Sequence, residues 1–283
     1  MRYENLCLDE ERALYGLHGA EVVHCTFAGP ADGESALKEC RNLRAVDCRF
    51  DLRYPLWHVQ GGEVINCQMG TGCRAPMWYD ERLRLQGCRI EGVKALRECA
   101  DIHLSACEIH SPEFGWQCQG LTMEGCELAS EYAFLHSRDL RLHQLRLEGK
   151  YSFQYVENAV IRHCTLLTKD AFWHSRNITV EDSIVRGEYL GWYSQNLRLV
   201  RCKLAGTQPL CYAKGLVLEN CEMADADLAF EYSDVQATVH GEILSVKNPA
   251  HGRIEADAIG EIILDEHRAP DADCQILCRQ GRE

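Results

Sequence analysis

Short runs of alternating apolar and polar residues recur along most of this chain at intervals of about 19 residues. The run Leu83-Arg84-Leu85 returns as Ile102-His103-Leu104, and Cys88-Arg89-Ile90 returns as Cys107-Glu108-Ile109. Alternation with a period of two predicts strands with one buried face, and a fixed period of this length predicts a stack of similar coils. The sequence therefore predicts an all-β, single-domain parallel β-helix of about twelve coils, with three short strands in each coil of about 19 residues.

Columns of equivalent residues identify the corners and the core. Residues that tolerate a left-handed backbone precede the first strand, in the column Asp101, Gly120, Asp139, Asn158, Asn177, Asn196 and Gly215. A second corner follows the second strand, in the column Gly92, Ser111, Ser130, Gly149, Thr168, Gly187 and Gly206. Inward columns repeat aliphatic residues, as in Leu85, Leu104, Met123, Leu142, Ile161, Val180, Leu199 and Leu218. Such columns predict a continuous aliphatic core along the stack.

No linker or low-complexity stretch divides the chain, so we expect one β-helix over residues 20–264. The open ends of a stack of strands need covers. We therefore expect residues 1–19 to form an N-terminal cap and residues 265–283 to form a C-terminal cap or tail.

Seventeen cysteines are present, an odd number, and most of them occupy repeat columns such as Cys88, Cys107 and Cys126. We expect free, buried thiols that pack as small apolar side chains, without disulfides. Metal-ligand spacings are missing, so we expect no metal and no cofactor. The first residues lack the basic start and apolar run of a signal peptide, and no segment has the composition of a membrane span, which predicts a cytoplasmic protein.

The formal net charge of −13 disfavours binding to nucleic acid and to anionic membranes, because phosphate contacts need clustered Lys and Arg. Outward strand positions mix both signs of charge, as in the columns Arg84, His103, Thr122, Arg141 and Arg89, Glu108, Glu127, Arg146. We interpret these two columns as an ordinary solvated face.

The third run of each coil contains all five tryptophans in one column, which also includes Arg97, Gln154 and Glu231. Its N-terminal neighbour carries no charge and reads Leu56, Met77, Leu96, Gly115, Phe134, Phe153, Phe172, Gly191, Leu210 and Phe230. Neighbours on a strand face opposite ways, and burying unpaired charge is costly. We expect the uncharged column to be inside and the tryptophans outside; in the reversed register the tryptophans are core.

In either register, one sheet presents an aromatic ladder, which is the candidate ligand-binding surface. Its candidate residues are Trp57, His58, Trp78, Tyr79, Trp116, His136, Trp173, His174, Trp192, Tyr193, Tyr212, Glu231 and Tyr232. The first hypothesis is a carbohydrate or glycan-derived ligand, with hydrolase or lyase activity as an unproven extension. The alternative is a non-catalytic scaffold that uses the same face for protein partners, or self-associates through this face or the coil ends.

Catalytic groups are not identified by the sequence. The carboxylates near the ladder are Asp80, Glu98, Asp170 and Glu231, and no pair of them can be assigned as acid and base from spacing alone. His136 and His174 are two rungs apart on the repeat, about 9–10 Å, which is too far to share a metal ion.

Six runs distributed along the chain form a recognisable set: Ala13-Leu14-Tyr15-Gly16-Leu17-His18, Tyr54-Pro55-Leu56-Trp57, Asp170-Ala171-Phe172-Trp173, Glu188-Tyr189-Leu190-Gly191-Trp192, Leu228-Ala229-Phe230-Glu231-Tyr232-Ser233 and Ser245-Val246-Lys247-Asn248-Pro249. Together they resemble the DUF3737 family of bacterial proteins, and the resemblance covers nearly the whole chain. The resemblance implies a right-handed parallel β-helix similar to the pectin-lyase-like superfamily. It implies no activity, and carbohydrate chemistry enters by fold analogy alone.

Overall fold

Short parallel strands account for almost all regular structure in residues 1–279, the part of the chain that the computed structural model describes. These residues belong to two units, Met1–Arg146 and Leu147–Glu283. These residues include one 3-10 helix, η1 (Thr71–Cys73). Each unit is a parallel β-solenoid with coils of about 19 residues.

The first unit contains two stacks of parallel strands in register. One stack runs β1–β3–β5–β7–β9–β11–β13–β15 and the other runs β2–β4–β6–β8–β10–β12–β14. The strands are β1 (Arg2–Glu4), β2 (Cys7–Leu8), β3 (Glu21–Val23), β4 (Thr26–Phe27), β5 (Arg41–Val46), β6 (Arg49–Phe50), β7 (Gln60–Ile65), β8 (Gln68–Met69), β9 (Glu81–Gln86), β10 (Arg89–Ile90), β11 (His103–Ser105), β12 (Glu108–His110), β13 (Thr122–Glu124), β14 (Glu127–Ser130) and β15 (Arg138–His143).

The second unit repeats this arrangement and then merges the two stacks into longer strands. The stacks run β17–β19–β21–β23 and β18–β20–β22–β23, and β23 is followed by β24, β25 and β26, all parallel. The strands are β16 (Arg146–Gly149), which begins at the last residue of the first unit, β17 (Glu157–Arg162), β18 (Thr165–Thr168), β19 (Arg176–Glu181), β20 (Ile184–Arg186), β21 (Gln195–Val200), β22 (Lys203–Ala205), β23 (Leu216–Ala224), β24 (Asp234–Lys247), β25 (His251–Ile263) and β26 (Gln275–Cys278).

Within residues 1–279 the coils number about 15, more than the twelve predicted. The strict repeat underestimates the count because irregular segments near both termini also coil. Residues 1–19, predicted as a cap, contain β1 and β2, which pair with the strands of the following coil. In the predicted C-terminal cap or tail, β26 pairs with β25; residues 280–283 of that segment lie outside the described residues.

The third run of each regular coil, predicted as a strand, is a chain of turns with isolated bridges such as Trp78↔Arg97. Every second residue has a left-handed backbone: φ is 63° at Phe172 and 53° at His174. Hydrogen bonds still link successive coils, as from His174 N–H to Trp192 O at 3.0 Å. The strict alternation of a strand is lost: within one run Phe172 is buried, Trp173 is half-buried and His174 is exposed.

The predicted core and corners are confirmed. The inward columns are buried, with Leu85, Leu104 and Ile161 fully inaccessible to solvent. The corner column before the first strand is left-handed throughout, and its asparagines form a ladder in the second unit, in which Asn177 Nδ2 donates to Asn158 Oδ1 at 3.1 Å. All seventeen cysteines are free thiols, and fourteen of them are buried. Burial raises the pKa of Cys40 to about 11.

Candidate functional site

The chain of turns formed by the third runs presents three columns of side chains, and the structure confirms the predicted register. The uncharged column is inside: Phe134, Phe153 and Phe172 are among the largest fully buried side chains. The five tryptophans are half-buried on the outer side, and the column after them is the most exposed of the three. The surface available to a ligand is therefore this outer column, flanked by the tryptophans.

Each tryptophan connects its own coil to the next one. In the second unit, Trp173 Nε1–H donates to Tyr189 O and Trp192 Nε1–H donates to Gln208 O, both at 2.7 Å. The two indoles stack with centroids 5.4 Å apart. The tryptophans of the first unit donate in the same way, at 2.6–2.7 Å, from Trp57 to Ala75 O, from Trp78 to Lys94 O and from Trp116 to Tyr132 O. These side chains stabilise the stack as well as lining the surface.

Trp192→Phe is expected to lower the free energy of unfolding by about 1–2 kcal/mol. The phenyl ring keeps part of the stack on Trp173 but cannot donate to Gln208 O. Urea unfolding followed by circular dichroism measures the loss. Tyr193→Phe is the matched control, because its hydroxyl has no protein partner among residues 1–279, and it should leave stability unchanged. An unchanged midpoint for Trp192→Phe would contradict the connecting role.

In the first unit Arg97 occupies the tryptophan column, between Trp78 and Trp116. Its guanidinium carbon lies 4.8 Å from the ring centroid of Trp78 and 4.6 Å from that of Trp116, a sandwich in which the cation contacts two ring faces. Its Nη2 also pairs with Glu113 Oε2 at 2.7 Å. Arg97 therefore continues the stack, which is why a charged residue is tolerated in this half-buried column.

The outer column of the first unit begins with His58 and Tyr79, whose rings stack at 4.8 Å. It continues through the exposed Glu98, Gln117 and His136. These last three side chains line a shallow groove of about 540 Å³ together with Gln119 and Arg138, residues that the sequence did not single out. Hydrogen-bonding groups dominate this groove, as in sites that recognise polar ligands.

The outer column of the second unit is an unbroken ladder of five rings: Tyr155, His174, Tyr193, Tyr212 and Tyr232. Successive centroids are 5.0, 4.9, 4.8 and 5.7 Å apart, and all four pairs are stacked. Tyr155 and Tyr193 are 47% and 42% exposed. We call these five residues the ring ladder. The sequence analysis named four of them as candidate ligand residues, and Tyr155 follows from the same column.

Stacking determines which part of each ring a ligand meets. The rings are within 3–25° of parallel, so each inner ring has both faces covered by its neighbours. Ring edges, phenol hydroxyls and imidazole nitrogens remain at the surface. The flat faces that the sequence interpretation expected to dock a ligand are thus used inside the ladder itself, because the rung spacing brings the rings into contact.

The candidate carboxylates differ in burial and in their partners. Glu231, predicted to contact ligand, is paired with Lys247 Nζ at 2.8 Å, and its side chain is only 15% exposed. Partial burial raises the pKa of Asp170. Asp80 is completely buried, with one oxygen accepting the Val59 N–H at 2.8 Å, so it is not available at the ladder surface. Burial raises the pKa of Asp80 well above its usual range.

Within residues 1–279, no helix is long and apolar enough to cross a membrane.

Comparisons with known proteins give low similarities. The chain is similar to PfbA, a surface adhesin of Streptococcus pneumoniae, with 10% identity over 89% of this chain and 72% of that chain and a TM-score of 0.38. It is similar to the A-module of the mannuronan C-5 epimerase AlgE6 of Azotobacter vinelandii, with 10% identity, coverage of 100% and 89%, and a TM-score of 0.32. The pentapeptide repeat protein HetL of the cyanobacterium Nostoc gives 13% identity, coverage of 78% and 91%, and a TM-score of 0.32. No function is transferred from similarities this low.

No curated protein matches the chain. One family does match, described as "Protein of unknown function (DUF3737)", and its match extends over residues 1–277. Because the match spans almost the entire sequence, the chain belongs to the DUF3737 family.

Proposed function

We propose that the protein binds an extended carbohydrate chain along the ring ladder. The observation that carries the proposal is the unbroken line of five stacked rings with exposed edges in the second unit. A periodic surface of this kind fits a periodic ligand. The rings recur every 4.8–5.7 Å, comparable to the length of one sugar ring in an extended glycan.

Hydrogen bonding supplies most of the recognition. Phenol hydroxyls donate and accept, and a neutral imidazole does both through its two nitrogens, so each rung offers partners for sugar hydroxyls. The Tyr193 hydroxyl has no protein partner among the described residues and is free for a ligand. Tyr232 differs, because its hydroxyl already donates to His267 O at 2.7 Å. The central rungs are therefore the main contacts.

Stacking also prepares the surface before a ligand arrives. Rings held between neighbours lose little rotamer freedom on binding, which lowers the entropic cost of association. The same holds for His58 and Tyr79 in the first unit, where a stacked pair leads into the polar groove of Glu98, Gln117 and His136. The proposal includes these residues as a separate binding surface of the first unit.

The proposal is for binding rather than for hydrolysis or elimination. Glycoside hydrolysis uses two carboxyl groups on opposite sides of one bond, within about 10 Å of each other. The buried Asp80 cannot reach a ligand, and Glu231 is neutralised by Lys247. Binding alone needs only the ladder.

The ladder is tested by isothermal titration with linear hexasaccharides, neutral and acidic. Tyr193→Phe removes one hydroxyl and keeps the stack, and it is expected to weaken binding of the best ligand about tenfold, which is about 1.4 kcal/mol. Tyr193→Ala also opens a gap in the ladder and should weaken binding further.

Tyr3→Phe is the control, because it removes a phenol hydroxyl from β1 of the first unit, which already bonds Met1 Sδ. It should leave the affinity unchanged. Equal affinities for the native protein and both Tyr193 variants, or binding of a protein segment instead of any glycan, would reject the proposal and favour the scaffold alternative.

The thiols support a location in the cytoplasm as part of the same proposal. Disulfides form in oxidising compartments, whereas this chain keeps seventeen free cysteines. Fourteen of them are buried in the core columns, where oxidation would require the coils to open.

A further inference from the structure

One outward column of the first unit changes character halfway along the stack. On β1, β3, β5 and β7 the column reads Arg2, Glu21, Arg44 and Glu63, in register from coil to coil. These charges pair with one another: Arg2 with Glu21 at 3.3 Å, Arg44 with Glu21 at 2.5 Å and Arg44 with Glu63 at 3.6 Å. Opposite charges alternate, so this half of the column is neutralised.

The same column continues on β9, β11, β13 and β15 as Arg84, His103, Thr122 and Arg141. We call these four residues the basic row. No acidic residue occurs in it, and neither arginine forms an ion pair within 4.0 Å with any residue of the described chain, 1–279. Both arginines are exposed, whereas His103 and Thr122 are half-buried. The row therefore carries a net positive charge, although Glu63 lies one rung before Arg84 in the same column.

The basic row lines a shallow groove of about 590 Å³. Its other walls are Arg82, Asp101, Ile102 and Gly120. Arg82 is paired with Glu81 at 2.9 Å, and the Asp101 carboxylate lies over Gly120, where a Cβ would come within 2.8 Å of Oδ1. The left-handed φ of 70° at Gly120 also favours glycine at this corner.

We infer that this groove binds the carboxylate groups of a linear acidic glycan. This names a ligand class for the carbohydrate-binding function proposed above and rests on that function. A guanidinium matches a carboxylate with two parallel hydrogen bonds. Arg84 and Arg141 are three rungs apart, about 14 Å, so they contact different sugar units. His103 and Thr122 lie between them and offer hydrogen bonds to hydroxyl groups.

The surroundings of the two arginines favour a glycan over a nucleic acid. Proteins that bind nucleic acid cluster Lys and Arg over a wide surface. Here two unpaired arginines are separated by His103 and Thr122, so the row lacks such a cluster. An acidic glycan carries both carboxylates for the arginines and hydroxyl groups for the two side chains between them.

The test measures binding of four probes by isothermal titration: an oligogalacturonate hexamer, a heparin-derived hexasaccharide, cellohexaose and an RNA hexamer. We expect the galacturonate probe to bind most tightly, with an affinity that falls as salt is raised. Arg84→Gln and Arg141→Gln should each weaken it about tenfold, and the double variant more. Arg44→Gln is the matched control: it removes the same charge from the same column, but from a paired site, and should change the affinity less than twofold.

The outcomes separate this inference from the function on which it rests. Suppose that cellohexaose binds as tightly as the galacturonate probe, and that its affinity falls with Tyr193→Phe but not with Arg84→Gln. Binding along the ring ladder is then supported, and the inferred acidic ligand is wrong. If the affinity for the galacturonate probe falls with the arginine variants but not with Tyr193→Phe, binding in the groove is supported and binding along the ring ladder is not. Preferential binding of RNA or of the sulfated probe, or no binding of any probe, overturns the inference.

Discussion

Ile161→Asp is expected to destabilise the protein by at least about 4 kcal/mol and to leave little folded material at 25 °C. Ile161 is fully buried on β17, in register with Val180 of the next coil. A carboxylate at this position has no cation to pair with and loses its hydration. Urea unfolding followed by circular dichroism, together with the soluble yield, measures the effect.

Val160→Asp is the control on the same strand. Val160 is 36% exposed and points to the opposite side of β17. The added charge meets solvent there, so the expected loss is below about 1 kcal/mol, which reflects the lower strand preference of Asp. Equal tolerance at the two positions would show that the inward and outward faces of the coils have been assigned wrongly.

Asp80→Ser is expected to stabilise the protein at neutral pH, with the largest gain at high pH. Asp80 is fully buried, and its second carboxyl oxygen has no hydrogen-bond partner among the described residues. Three coils along the same column, Ser137 accepts the Cys118 N–H at 2.9 Å and donates to Gly115 O at 2.5 Å. A serine at position 80 would accept the Val59 N–H as Asp80 does and would bring a donor that finds a carbonyl.

The sign of the pH dependence follows from the raised pKa of Asp80, which burial causes. Burial favours the neutral form of the Asp80 carboxyl group. The contribution of this neutral group to the stability of the folded protein is therefore complete below the unfolded-state pKa of about 4. That contribution is lost as the pH rises towards the folded-state pKa. The advantage of Asp80→Ser should therefore grow by up to about 1.4 kcal/mol per pH unit above pH 4.

Asp80→Asn separates charge from hydrogen bonding, because it keeps the acceptor and cannot ionise. It should show the same pH trend relative to the native protein. Unfolding measured from pH 4 to pH 9 gives the comparison. A difference that stays flat across this range would mean that Asp80 ionises in the folded protein without cost.

The sequence was sufficient for the coils and their core, because inward columns such as that of Leu85 and Ile161 must be apolar in every coil. It was insufficient for the third run. The sequence pattern around Phe172 predicted a strand, but the run consists of turns in which a buried residue is followed by a half-buried and then an exposed one. The count of coils was also too low, because the terminal coils lack the regular columns.

The sequence predicted which residues of the candidate site share a column, but it did not predict which of their side chains contact one another. The sequence identified the aromatic column that contains His174 and Tyr193, but the stacking that covers the ring faces depends on side-chain rotation. Likewise, the sequence shows that Arg44 and Arg84 share a column, and only the structure shows that one finds carboxylates and the other does not. Asp80 is buried next to the exposed Tyr79 because it occupies a core column that Cys99, Cys118 and Ser137 fill in the following coils.

The most direct test of ligand binding along the ring ladder is a crystal structure of the protein soaked with the hexasaccharide that titrates most tightly. We expect sugar density parallel to the stack in the second unit, with hydroxyls within hydrogen-bonding distance of Tyr193 Oη and a ring nitrogen of His174. Density elsewhere in that unit, with the edges of Tyr155, His174 and Tyr193 left bare or covered by a second copy of the chain, would contradict the account.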